Sequence, residues 1–294
     1  MIHINIDPVA FSIGFFEVRW YGIMVVLAIV AVIAISLLEA RRVGLAEDNI
    51  YSMGLWAIIG GILVSRLFHV IDKLGYYMAN PAQIIRFEGL TVWGAVIGAL
   101  LAVLVYCGVI NRSFWNQGLR VYLSQVVRFF WQVGDVVAPG AIVGLAIGRI
   151  GCFINGCCYG LTTSLPWGVI YTNPGSYCPL DEAVQPTQIY HILWNLIVFG
   201  ILWSLRRRLK PQGSLFLLFL ALFAAGDLCI RFVRAGEPFR SGMFFNMQQA
   251  QLIDIIILVV TVPWLIIRMC YYRTRKPVPE SVNEVNEPGR NRGA

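Results

Sequence analysis

The chain has 294 residues, 58% of them hydrophobic and only 13% charged, and a mean hydropathy of +0.69, which excludes an ordinary soluble domain. The net charge of +7 would suit a nucleic-acid binder if it lay over one face. Lys and Arg gather instead in short connectors between apolar stretches, the pattern of an integral membrane protein.

The opening residues, MIHINIDPVAFSIGFFEVRW, carry acids and no basic region ahead of an apolar core, so no cleavable signal peptide is expected. Apolar stretches of about 20 residues then fall at about 20–40, 50–71, 90–110, 133–155, 188–205, 214–234 and 249–270. This predicts an all-α polytopic membrane protein of about seven transmembrane helices. Basic residues follow the odd-numbered spans: Arg41 and Arg42; Arg112, Arg120 and Arg128; Arg206, Arg207, Arg208 and Lys210; Arg273, Arg275 and Lys276. The alternate connectors are poorer in them, which places the N-terminus outside and the C-terminus in the cytoplasm.

Gly94 and Gly98 in the third span, and Gly140, Gly144 and Gly148 in the fourth, recur at helical spacing and are expected to let helix backbones approach closely. No phosphate-binding turn follows them, so they do not form a dinucleotide loop. The connector 111–131 mixes arginines with aromatics and suits a helix on the cytoplasmic surface. Residues 1–276 are expected to form a single transmembrane catalytic domain, and the polar, Pro-containing 277–294 a disordered cytoplasmic tail. No internal repeat is apparent, which argues against a transporter.

When each span is run from its proper end, its polar residues fall at one level. Tyr21, Arg66, His69, Trp93, Arg149, Asn155, Tyr159, Gln188, Tyr190, His191, Asp227, Arg231 and Arg234 all lie toward the outer side. A polar cavity open to the exterior is the expected result. Four arginines face one acid, Asp227, within these spans. The acid-first i,i+4 pair Asp227/Arg231 is expected to be structural, leaving Arg66, Arg149 and Arg234 short of counter-ions. A guanidinium fork suits phosphate oxygens, so an anionic phospholipid head group is the natural partner.

Three residues of the loop, Cys157, Cys158 and Cys178, would permit one disulfide in an oxidising exterior, and the absence of histidine there weighs against a metal. The other four cysteines read as small apolar fillers.

The stretch Gly148 to Gly160, GRIGCFINGCCYG, resembles the signature of the prolipoprotein diacylglyceryl transferase family. IDPVAFSIGFFEVRWYGIM (Ile6 to Met24), SRLFHV (Ser65 to Val70) and QPTQIY (Gln185 to Tyr190) resemble further family motifs in the same order, over about residues 3–270. The resemblance implies transfer of an sn-1,2-diacylglyceryl group from phosphatidylglycerol to the lipobox cysteine thiol of a prolipoprotein, in a bacterial inner membrane. Arg149 corresponds to the arginine that contacts the head group, Tyr21 to the tyrosine of the WYG motif, and Gly160 to the final glycine of the signature.

We therefore take Tyr21, Arg149 and Arg234 as candidate catalytic residues. Arg66, Trp93, Asn155, Gly160 and Arg231 join Arg149 as candidate substrate-binding residues. No cofactor, metal or nucleic acid is expected, and the protein is expected to act as a monomer. Five positions depart from the family pattern. Trp93 stands where some members carry histidine, Cys152 and Cys157 stand for an asparagine and a glutamate, and the sixth-span pair Asp227/Arg231 is reversed. His69 and His191 are the only histidines at the right depth for a base. A family member without the chemistry, acting as a phospholipid-binding membrane protein, is the alternative.

Overall fold

The computed structural model describes residues 1–14, 16–79, 83, 92–235 and 247–274. The tail 277–294 lies outside them. Eight α-helices are described: α1 (Trp20–Val43), α2 (Glu47–Asp72), α3 (Leu74–Ala79), α4 (Val92–Ile110), α5 (Leu119–Asn155), α6 (Thr187–Leu205), α7 (Ser214–Arg231) and α8 (Gln249–Thr274). Six are long and apolar enough to cross a membrane, and α4 adds a shorter apolar helix over Gly94–Ile110. The all-α polytopic architecture is thus present.

Helix α5 is the central element, packing against α1, α4, α6 and α7, while α2 pairs with α4 and α7 with α8. At 37 residues it is about 55 Å long, well beyond a hydrocarbon core of about 30 Å. This corrects the separate surface helix expected over 111–131. A short 3-10 turn spans Arg112–Gln117, and the chain then enters α5 itself, whose first turns carry Arg120 and Arg128 beyond the apolar stretch.

Small β elements, which hydropathy does not reveal, cover the end of the bundle where α1 begins and α5 ends. Strands β1 (Ile2–Ile4), β4 (Val169–Tyr171) and β5 (Ala183–Val184) form one sheet, with β1 parallel to β4 and β5 antiparallel to it. β2 (Val9–Ile13) and β3 (Phe16–Arg19) form a hairpin leading directly into α1. The loop sheet has its own core of Val169, Tyr171, Cys178 and Val184.

At the opposite, basic end, Glu39 of α1 is buried and paired with Arg42 at 2.7 Å and Arg206 at 2.9 Å, joining α1 to the end of α6. Asp135 of α5 accepts hydrogen bonds from the backbone N–H groups of Gly213 (2.5 Å) and Phe216 (2.9 Å). It thereby caps α7, whose own N-cap residue, Gly213, has no side chain to do so.

The glycine spacing is only partly a packing signal. A Cβ at Gly98 would lie 2.6 Å from Val64 Cβ, and one at Gly140 would lie 2.8 Å from the Val32 carbonyl oxygen, so α4 meets α2 and α5 meets α1 through bare backbone. Gly148 corrects the pattern: nothing lies within 4 Å of a Cβ built there. Gly98→Val is expected to destabilise the protein by about 1–3 kcal/mol through overpacking. Gly148→Ala should instead be neutral or stabilising by up to about 1 kcal/mol. Thermal unfolding of the detergent-solubilised variants measures both, and equal effects at the two positions would contradict the assignment.

Candidate functional site

Helix α5 ends because Gly156 adopts the left-handed conformation (φ 70°), with the Cys157 N–H returning to the Cys152 carbonyl at 3.1 Å. The turn that follows is pinned from three sides. Gln188 Nε2 donates to the Cys157 carbonyl at 2.8 Å, and Thr187 Oγ1 to the Cys158 carbonyl at 2.6 Å, both from the first turn of α6. Gly160 then bridges Arg234 in antiparallel fashion, donating its N–H to the Gln185 carbonyl at 2.8 Å. A Cβ on Gly160 would sit 2.7 Å from the Val233 oxygen, which explains a glycine there.

These contacts hold Arg149, Arg231 and Arg234 around one cavity of about 810 Å³. Its α5 wall is the face Ala141, Leu145, Gly148 and Cys152, flanked by Gly144 and Arg149. Its α1 wall runs from Tyr21 through Val25, Ala28, Ile29 and Val32 to Ile33, and Gly54, Ala57 and Ile58 of α2 close the apolar part. Cys158 and Ala250 complete the lining. The result is a long apolar trough with a cationic end. No carboxylate or histidine lines it among the described residues.

Behind this wall lies Asp227, only 4% exposed. Its carboxylate accepts from Arg231 Nε at 2.5 Å and lies 3.7 Å from Arg149 Nη2 and 3.6 Å from His191 Nε2. The Asp227/Arg231 pair is present as expected, but Arg149 also shares Asp227, which corrects its reading as an arginine without a counter-ion. Sequence reasoning also missed Asp254 of α8, 3% exposed and 3.6 Å from Arg231 Nε. The signal was available, since an acid in the middle of an apolar span is costly without a partner. Arg234 forms no salt bridge among the described residues.

The remaining candidates lie elsewhere. Arg66 does not line the cavity: its Nη2 donates to the Gln83 carbonyl at 2.7 Å, and its guanidinium lies 5.1 Å from the Tyr77 ring of α3. Trp93 is in the first turn of α4, but its side chain is outside the described residues. Asn155 is in the last turn of α5, its carbonyl accepting from the Tyr177 N–H at 3.2 Å, and its side chain does not reach the cavity lining. Gly160 acts through backbone proximity and is likewise outside the lining. Neither histidine reaches it either. His191 is 1% exposed beside Asp227, and His69 meets the Tyr77 ring edge-on at 6.1 Å.

The cysteines also differ from expectation. All seven are free. Cys178 is packed in the loop sheet, where burial pushes its thiol up to about 12, leaving it inert at neutral pH. Cys157 and Cys158 converge instead with Cys152, all three sulfurs lying within 4.8 Å of one another.

Comparison with known proteins agrees with this geometry. The family model described as prolipoprotein diacylglyceryl transferase matches residues 8–267. A phosphatidylglycerol-prolipoprotein diacylglyceryl transferase of Dehalococcoides mccartyi is 40% identical over 277 residues, covering 94% of this chain and 97% of the relative. The enzyme of the same name from Clostridium tetani is 32% identical over 253 residues, covering 85% and 94%. That from a Nostoc species is 30% identical over 299 residues, covering 96% and 95%. With nearly its whole length aligned and a basic, trough-shaped cavity beneath the matching signature, this chain belongs to the prolipoprotein diacylglyceryl transferase family.

Proposed function

We propose that the protein transfers the sn-1,2-diacylglyceryl group of phosphatidylglycerol to the lipobox cysteine thiol of a prolipoprotein, forming a thioether and releasing glycerol phosphate. One observation carries this reading. The same cavity joins an apolar trough between α1, α2 and α5 to a cationic end formed by Arg149, Arg231 and Arg234. Two acyl chains suit the trough, and the phosphodiester suits the guanidinium end. The thiol sulfur attacks the glycerol methylene that carries the phosphate. The C–O bond breaks with its electron pair going to the phosphate, and the fixed guanidinium charge stabilises the oxygen as it becomes anionic. Arg149 is assigned the leading role of the three, because it lines the cavity at the cationic end with Asp227 3.7 Å behind it. Tyr21, at the head of the α1 wall, is assigned to orienting the head group.

The orientation follows the charge pattern. The cavity end faces the exterior, and the end carrying Arg41, Arg42 and Arg206 to Arg208 faces the cytoplasm of a bacterial cell. Residues 1–276 form the catalytic unit.

The test uses purified protein in mild detergent with phosphatidylglycerol and a lipobox peptide, followed by mass spectrometry. A peptide heavier by one diacylglyceryl group is expected, with Arg149→Ala reducing its rate by about 100-fold or more. Arg149→Lys should recover only part of that rate, because it keeps the charge but loses the fork. Saturable lipid binding without any product would favour the phospholipid-binding reading instead. The trough can be tested separately. Ala57→Trp should raise KM for long-chain phosphatidylglycerol by about tenfold, equivalent to ~1.4 kcal/mol, and affect a short-chain analogue much less. Equal effects on both lipids would place the acyl chains elsewhere.

A further inference from the structure

The proposed reaction needs the acceptor sulfur as thiolate, yet no carboxylate or histidine lines the cavity among the described residues. What does converge there is the set of three thiols. Cys152 lies in the last turn of α5, and two left-handed residues, Gly156 (φ 70°) and Cys158 (φ 63°), follow the end of the helix in the next turn. That turn is fixed by the hydrogen bonds from Thr187 and Gln188. The three Sγ atoms lie within 4.8 Å of one another. A tetrahedral Zn–S distance of about 2.3 Å requires sulfurs about 3.8 Å apart. The cluster therefore needs to contract by no more than about 1 Å.

We propose that Cys152, Cys157 and Cys158 bind a zinc ion as three thiolates, and that its fourth position receives the thiol of the acceptor peptide. The inference rests on the transferase reading for the identity of that fourth ligand, but not for the metal site itself. Three features of the site favour it. Cys152 and Cys158 line the cavity, so a metal held by the cluster would border the space assigned to the lipid. Three thiolates with Zn²⁺ carry one net negative charge, which Arg149 and Arg234 across the same cavity stabilise. Thiolates select soft metals, and zinc in a three-ligand site keeps a position for substrate.

The chemistry balances without a base in the wall. The peptide thiol binds zinc and gives its proton to solvent, because a coordinated thiol is deprotonated outright. The zinc-bound sulfur then forms the S–C bond to the glycerol methylene, and the C–O pair departs with the phosphate. The resulting thioether is a weaker ligand, which frees the fourth position for the next peptide. Zinc changes no oxidation state in these steps.

The experiment takes the full-length protein in detergent and measures bound metal by elemental mass spectrometry after dialysis against zinc. About one zinc per chain is expected, lost in the triple Cys→Ser variant at positions 152, 157 and 158. Cobalt(II)-loaded wild-type protein, which needs no variant to fold, should show thiolate-to-cobalt charge-transfer absorption. A lipobox cysteine peptide should intensify it, and the serine peptide should not. Chelator-treated protein should transfer about 100-fold more slowly and recover with zinc. Metal-free protein with full transfer activity would overturn the inference and leave the transferase standing. A cobalt spectrum indifferent to the cysteine peptide would overturn the fourth-ligand role. Zinc bound and the spectrum responsive, with no product formed, would support the inference while the transferase reading falls.

Discussion

A carboxylate removed from water in the membrane-spanning part of a protein must be matched by cations, and Asp227 meets that demand by gathering helices around itself. Arg231 reaches it along α7, Arg149 from α5 and His191 from α6, while Arg231 also extends to Asp254 on α8. Four helices thus converge on one buried charge cluster, and its shared member is Asp227, whose loss would take from Arg149 its acid partner and leave Arg231 with Asp254 alone. The arrangement also orients Arg149. Its guanidinium lies 3.7 Å from Asp227 on one side while the residue lines the cavity on the other.

The cavity owes its shape to the mismatch between a four-residue glycine spacing and the α-helical period. At roughly 100° per residue, Gly140 and Gly144 lie within about 40° of each other on α5, and Gly151 returns to the same seam after a further seven residues. All three meet α1 at backbone distance. Gly148 has rotated by about 80° from Gly140, off the seam and into the face shared with Ala141, Leu145 and Cys152. Close packing and open trough are therefore adjacent faces of one helix. The seam brings Tyr21 of α1 beside Gly151, and the neighbouring face carries the space in which a lipid lies.

This geometry explains what could be read from the residues alone. Hydropathy located the spans to within a few residues except at the start of α5, which begins at Leu119 rather than near 133, because a bilayer imposes length and apolarity on each helix separately. Depth placed Tyr21, Arg149, Arg231 and Arg234 at one level, and they do share the cavity. Arg66 and His69 stand at a similar level but meet Tyr77 instead, since depth says nothing about which way a helix face turns. Azimuth depends on neighbours, and the neighbours are set by contacts distant in sequence. The β elements over the site were invisible for a different reason. Strands of two to five residues at the loop end of a bundle leave no period to detect. Asp254 is legible as an acid within an apolar stretch.

The cysteines show how one substitution can be neutral to the fold and decisive for the site. Along α5, position 152 lies on the trough face, and positions 157 and 158 follow the left-handed turn that ends the helix. The Cys157 N–H donating to the Cys152 carbonyl, and the Gln188 and Thr187 side chains donating to the Cys157 and Cys158 carbonyls, hold that turn through its backbone. Three thiols there put soft atoms beside guanidinium groups, in a wall where no carboxylate or histidine stands among the described residues. Charge then divides the labour. Asp227 and Asp254 balance the arginines from behind, while the ligands in front, phosphate and thiolate alike, are anions that the same arginines attract. A site built in this way favours substrates in the protonation state in which they react.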